Sequence, residues 1–221
     1  MKKGIHIDYM PQNTALVFEK LSKMTFIKSY TLVGGTALSV QIKHRLSEDL
    51  DFIYDGEELN IYNIKRNIEK NFPDNRIIRI DGKYQIDYLI EGTKVTFFST
   101  AAITVPFGVK EYSFRFDNIN IATVDIIAVL KLGAIAQRNT IRDYYDIYYI
   151  SKNIIPLSKI FFECKRLLPG LSPVTYSETL VYTEDILEDD VSNHLQPIIN
   201  VTKQQMSEFF AGELRKIRED I

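Results

Sequence analysis

Apolar positions recur along the N-terminal half at two alternating periods. Between Gln12 and Ser22 they fall at Leu16, Phe18 and Leu21, with Met24 just beyond, which is the spacing of one helix face. Tyr30-Thr31-Leu32-Val33 reads as a short buried strand ending at Gly34-Gly35. Ala37, Leu38, Val40 and Ile42 restore a helix-compatible pattern over Thr36 to Arg45, with Lys43, His44 and Arg45 at its C-terminal end. A strand is expected over Asp49 to Tyr54, and a helix over Asn60 to Asn71, closed by Pro73.

Three strand-like runs follow, Arg76 to Ile80, Tyr84 to Ile90 and Lys94 to Ser99. Asp81-Gly82 and Glu91-Gly92 separate them, and an acid-Gly pair between alternating runs signals a hairpin. A further strand is expected near Ile119 to Ile121. From Val124 the chain reads as helices broken at Asn139-Thr140, Pro156, Pro169-Gly170 and Pro197, with amphipathic stretches at Leu157 to Leu168 and Thr202 to Ile217. The pattern predicts an α+β protein with two parts, a mixed α/β unit over 1–122 and a helical part over 123–221.

Composition narrows the function classes only a little. The 221 residues carry a formal net charge of −2, so any surface for nucleic acid must be local. Cys164 is the single cysteine, which excludes an intrachain disulfide; it reads as a packing residue, since no histidine accompanies it. His6, His44 and His194 share no zinc-ligand spacing. No apolar signal core follows Lys2 and Lys3, and the run Ile126 to Leu130 is far too short to cross a bilayer. A cytoplasmic protein without a membrane partner is expected.

Two short motifs carry candidate chemistry. Gly34-Gly35-Thr36 lies between a strand and a helix, where glycine admits close backbone approach and the first helical turn offers N–H groups to a phosphate. Asp49 and Asp51 alternate along a strand, so they share a face roughly 6.6 Å apart, while Leu50 and Phe52 point to the core. Paired carboxylates repel unless a cation offsets them, and Mg²⁺ prefers oxygen donors. Each motif alone also fits a plain structural turn or a solvated pair on an edge strand.

Taken together, Gly-Gly-Thr-Ala-Leu (34–38) and His-Arg-Leu-Ser-Glu-Asp-Leu-Asp-Phe (44–52) resemble the AbiEii/AbiGii-type nucleotidyltransferases, toxins of bacterial toxin–antitoxin pairs. The resemblance covers Val33 to Phe52. It implies a nucleotidyltransferase-fold mixed sheet with flanking helices, followed by a helical bundle. It further implies an NTP substrate, Mg²⁺ (or Mn²⁺), and a cognate antitoxin. The acceptor hydroxyl would belong to an RNA 3′ end such as tRNA, or to a protein. Gly34, Gly35 and Thr36 inherit a phosphate-holding role, and Asp49 and Asp51 the metal. Arg45 and Ser47 match motif positions for phosphate contact or turn stabilisation; Arg45 also reads as a cation at a helix C-terminus.

The chain departs from that pattern at one place. Relatives carry a third acid in a run such as Lys-Val-Asp-Phe, whereas this chain has Lys94-Val95-Thr96-Phe97. If Glu91-Gly92 is a two-residue loop, Asp87 pairs with Thr96 and stands roughly 5 Å from it between Cβ atoms. Asp87 is therefore the candidate replacement, acting through metal or water; the alternative is a solvated polar residue in a half-exposed strand.

A second stretch of the resemblance holds Lys131, Arg138, Arg142, Asp143 and Asp146, with Arg142 where the family has lysine. On one continuous helix Lys131, Arg138 and Arg142 would share a side and grip a triphosphate, with Lys131 and Asp143 as catalytic candidates. Thr140-x-x-Asp143 also fits a capping box, and Arg142 with Asp146 an exposed i,i+4 pair. Tyr144, Tyr145, Tyr148 and Tyr149 are expected to pack rather than to stack on bases. The competing reading for the whole chain is a non-catalytic nucleotide- or partner-binding module, favoured by Thr96. A third, an antibiotic-modifying transferase, shares the fold.

Overall fold

The computed structural model describes residues 4–187, 191 and 195–219. Lys2, Lys3, residues 188–190 and His194 lie outside them. The chain divides into two compact units, Met1–Thr123 and Val124–Ile221.

The first unit contains β1 (Tyr30–Val33), β2 (Leu50–Tyr54), β3 (Asn75–Asp81), β4 (Gln85–Ile90), β5 (Thr93–Ser99), β6 (Ser113–Phe116) and β7 (Ile119–Ala122). They form one mixed sheet in the order β3-β4-β5-β2-β1-β7-β6. β2 runs parallel to β5 and β1 parallel to β7; the other neighbours are antiparallel. Helices α1 (Gln12–Ser22), α2 (Gly34–Ile42) and α3 (Ile61–Asn71) belong to the same unit. One sheet face is continuous apolar core: Leu50, Phe52, Ile86, Tyr88, Ile90, Val95 and Phe97 are all fully buried. Phe52 stacks on Phe97 with ring centroids 5.4 Å apart, and Tyr30 meets Phe97 edge-on at 5.1 Å. Asn60 caps α3, its side chain accepting from the Asn63 amide at 2.9 Å.

Glu91-Gly92 makes the two-residue turn expected of it, with both φ values positive at 50° and 80°. The ladder therefore runs Ile90↔Thr93 to Asp87↔Thr96. The β6–β7 hairpin was not foreseen. Its turn is Asp117-Asn118, with Asp117 at φ 49°, so no glycine marks it.

The second unit is helical: α4 (Val124–Ile135), α5 (Ile141–Asn153), α6 (Leu157–Leu167), α7 (Pro173–Val181) and α8 (Lys203–Glu219). α4 packs against α5, α6 and α7, and α8 against α5 and α7. Tyr144 and Tyr145 are fully buried and Tyr148 nearly so, as packing residues should be. The Tyr144 hydroxyl donates to the Thr179 carbonyl at 2.8 Å. Cys164 is buried, and burial pushes its thiol up to about 12, which leaves it no nucleophilic role. None of the described helices is long and apolar enough to cross a membrane.

Candidate active site

The strand-to-helix junction is tighter than its sequence suggested. α2 begins at Gly34, immediately after β1, so the two glycines form the first helical turn and not a loop before it. Gly34 reverses the chain in one step at φ +74°, a conformation that L side chains rarely adopt. Val33 is the register partner of Asp51. The Asp51 carboxylate accordingly lies against the turn: a Cβ on Gly34 would stand 2.8 Å from Asp51 Oδ2.

The segment after α2 folds back onto the same turn. The helix stops at Ile42 because Lys43 turns left-handed at φ 56°. Arg45 is thus not at a helix C-terminus, which corrects that reading. Its guanidinium reaches the opposite, N-terminal end of α2, where a Cβ on Gly35 would meet Arg45 Nη2 at 2.6 Å and Ser47 Oγ at 2.8 Å. Arg45 is 3% exposed, and its Nη1 donates to the Leu46 carbonyl at 2.9 Å. Thr36 donates to the Asp49 carbonyl and lies 3.0 Å from Ser47 Oγ. Thr36 is buried with its hydroxyl committed to the protein, so it clamps the 47–49 loop instead of offering that hydroxyl to a phosphate.

Across the sheet, Asp51 pairs with Thr96 on β5, and Thr96 pairs with Asp87 on β4. Register partners project to one face, so Asp51, Thr96 and Asp87 form a single rung. Asp87 is 5% exposed, with Oδ1 accepting from the Gln85 amide at 2.8 Å, which overturns the solvated alternative. Thr96 Oγ1, buried between the two acids, has no hydrogen-bond partner among the described residues. Asp49 stands one residue outside β2. No group of three or more His, Cys, Asp or Glu among the described residues is placed to hold a metal by itself.

In the second unit α4 and α5 are separate helices, because 136–140 breaks them, so the continuous cationic stripe is not formed. The break brings Lys131 onto two acids instead. Lys131 Nζ donates to Asp143 at 2.5 Å and lies 2.7 Å from Asp146 Oδ2, with both acids essentially buried. Arg138 Nε donates to Asp143 Oδ2 at 2.9 Å. Thr140 sits at the N-cap, but its hydroxyl donates to the Asp143 carboxylate at 2.7 Å and makes no side-chain cap to the backbone. Burial alone would raise the Asp143 carboxyl; the charges of Lys131 and Arg138, with hydrogen bonds from Lys131 and Thr140, outweigh it and hold it below the usual range. Arg142 is half-buried on α5. Asp146 was the member of this group not singled out as a site residue, although its i,i+3 spacing from Asp143 was visible.

Residues 15–215 match the family described as nucleotidyl transferase AbiEii toxin, type IV toxin–antitoxin system. The chain belongs to the AbiEii family. It is 28% identical over 208 residues to an uncharacterized protein of Aquifex aeolicus (strain VF5), covering 91% of this chain and 94% of that one. Two solved structures share the fold. JHP933 from Helicobacter pylori superposes with a TM-score of 0.53 at 16% identity, covering 94% of this chain and 91% of that chain. MenT4, a nucleotidyltransferase toxin from Mycobacterium tuberculosis H37Rv, gives 0.52 at 14% identity, covering 93% and 87%. The AbiEii chain is thus a nucleotidyltransferase of toxin type with a nucleotidyltransferase-fold mixed sheet. The type IV system implies an antitoxin partner and an NTP. The glycine turn and the Lys131 network both fall inside the matched span.

The close packing on Gly35 gives a direct test within the AbiEii site. Gly35→Ala is expected to displace Arg45 and Ser47, with a loss of about 1–3 kcal/mol of stability and a fall in transfer. Thermal melts and a transfer assay would check both; an unchanged Tm would show that the turn tolerates a side chain.

Proposed function

We propose that the protein transfers a nucleoside monophosphate from an NTP, with Mg²⁺ or Mn²⁺, to an acceptor hydroxyl. The acceptor is an RNA 3′ end such as tRNA, with a protein hydroxyl as the second choice, and the setting is the cytoplasm. The observation carrying this reading is the Asp51 carboxylate lodged against the N-terminal glycines of α2, with the Arg45 guanidinium at the same turn. Anions favour a helix N-terminus, and the two glycines at this one are half-buried. Gly34 and Gly35 would hold phosphate oxygens, with Arg45 and Ser47 bracing the turn.

The donor set fits a hard divalent ion. Asp49, Asp51 and the unpartnered Thr96 hydroxyl supply oxygen alone, and Mg²⁺ binds through one or two carboxylates plus substrate phosphates rather than in an all-protein cage. When bound, the ion would orient the phosphates and offset charge on the leaving pyrophosphate. In the step itself, the acceptor oxygen bonds to the α-phosphorus, the bond to pyrophosphate breaks, and the hydroxyl proton leaves to water or a carboxylate. In the helical unit, Lys131 is held by Asp143 and Asp146 in a buried ion network.

Asp87 takes a different part from Asp49 and Asp51. It stands two strand spacings from Asp51, roughly 9.6 Å between backbones, with Thr96 on the strand between them. Asp87 would act through a water at Thr96 as proton acceptor. Asp87→Asn is then expected to slow transfer about 10- to 100-fold, with the Mg²⁺ requirement unchanged. A raised Mg²⁺ requirement would assign Asp87 to the metal instead.

The decisive experiment supplies each of the four α-labelled NTPs with total cellular RNA and protein. Label in RNA supports the reading as stated, and label in protein alone moves the acceptor. No transfer with any nucleotide removes the reaction.

A further inference from the structure

The β3–β4 ladder is irregular at one place, and that place adjoins Asp87. Ile77 pairs with Tyr88 and then Arg79 with Asp87, so Ile78 is left over as a bulge. Regular pairing onward from Ile77↔Tyr88 would set Ile78 opposite Asp87 and Arg79 opposite Ile86, on the core face. The extra residue exchanges them. Ile78 is left 51% exposed, and Arg79 extends the row Asp51, Thr96, Asp87 by one polar position. Bulges recur beside active sites, where they re-aim a side chain.

Two residues further along, Asp81 pairs with Gln85. Side chains two apart on a strand share a face, so Arg79, Asp81, Gln85 and Asp87 form a square on the face of that row. Such a square can pair across the strands, Arg79 with Asp87 and Asp81 with Gln85, or along them. It pairs along them. Arg79 Nη2 donates to Asp81 Oδ2 at 2.6 Å, and Gln85 Nε2 donates to Asp87 Oδ1 at 2.8 Å. The guanidinium serves the exposed acid, and the buried one keeps a neutral donor. A carboxylate bound to a guanidinium holds its charge tightly and accepts a proton poorly; an amide orients it without that effect.

The bond from Gln85 is the only hydrogen bond to the Asp87 side chain among the described residues. An ionised carboxylate offers about four acceptor sites, so Asp87, 5% exposed, has capacity left over. On the neighbouring strand the Thr96 hydroxyl is buried without a hydrogen-bond partner among the described residues. Unmet polar capacity on two adjacent buried groups calls for a water or a substrate hydroxyl between them.

We propose that Gln85 is a positioning residue for the transfer reaction. Its amide fixes Asp87 Oδ1, which leaves Oδ2 to take the proton. As the acceptor oxygen bonds to the α-phosphorus and pyrophosphate departs, the acceptor's proton passes to the water at Thr96, and that water's proton to Oδ2. Gln85 touches no reacting atom and acts only through Asp87. The role rests on the transfer reaction and on the part given to Asp87 above.

The test is a double-mutant cycle on the full chain. Label transfer from α-labelled NTPs into total cellular RNA and protein is followed at varied NTP, with thermal melts of every member. Gln85→Met keeps the length of the side chain and removes the donor. It is expected to lower turnover at saturating NTP about tenfold, with KM for the NTP and Tm unchanged. In an Asp87→Asn background the same change should have no further effect. Should methionine lower Tm, Gln85→Glu, isosteric and without the donor, takes its place in the cycle. Wild-type turnover, a loss confined to KM, or losses that multiply in the double variant overturn the role. A slowed Asp87→Asn beside an unaffected Gln85 variant sinks this inference alone and leaves Asp87 its part. An unaffected Asp87→Asn removes both, and a wild type that transfers no label removes the reaction with them.

Discussion

Asp51→Asn is expected to lower nucleotidyl transfer by roughly a thousandfold or more while moving stability by less than about 1 kcal/mol. Asparagine keeps the shape of the side chain, and Asp51 is only half-buried, so the packing of β2 survives. What it removes is the negative charge lodged against Gly34. Asp51→Glu separates charge from position. It restores the carboxylate, but one methylene longer, at a place where even a Cβ on Gly34 would come within 2.8 Å of Oδ2. It should therefore stay well below wild type. Label transfer from an α-labelled NTP, read beside a thermal melt, distinguishes the outcomes. Wild-type turnover by Asp51→Asn would strip Asp51 of its assignment to the metal, and the reading of the glycine turn would lose its main support.

How far the sequence reached can be judged at particular residues. The period-2 runs and the Glu91-Gly92 turn were enough to set Asp87 opposite Thr96, because a two-residue turn with positive φ fixes register. β6 escaped because its hairpin turns on Asp117-Asn118, and a left-handed aspartate carries no signal as plain as glycine. The motif string located Arg45, but its destination was not legible. Continuing the helical pattern placed it at the end of α2, whereas the left-handed Lys43 stops the helix and sends the guanidinium back to Gly35. Burial was equally hidden. Asp87 looked like a surface residue in an alternating strand, and only the assembled sheet covers it. A cavity beside Lys94 joins α1 to a hairpin some eighty residues later, as the 79-residue separation of the contacting Thr14 and Thr93 hydroxyls illustrates. No local pattern encodes such a contact.

Lys131→Met is expected to cost about 3–5 kcal/mol of stability, the range for removing one partner of a buried ion network. Lys131 is 7% exposed and holds Asp143 and Asp146, which are 1% and 0% exposed. Methionine fills similar space, so the loss reports charge and not a cavity. Arg138 and Thr140 still serve Asp143 after the deletion. Adding Asp146→Asn to Lys131→Met should then recover part of the stability, a coupling that denaturant melts of the four members of the cycle would measure. Simple additivity would mean that Lys131 and Asp146 do not stabilise one another. The acid limb of the wild-type stability curve gives a second check. The Asp143 carboxyl is held below its ordinary value of 3.8, so its contribution is fully present above that pH and is lost as pH falls through the lower, folded value. The Lys131→Met variant should lose much of this acid-side slope, because the lysine charge that keeps Asp143 ionised is gone. A variant that melts like wild type at pH 7 would mean that the two acids are satisfied without their lysine.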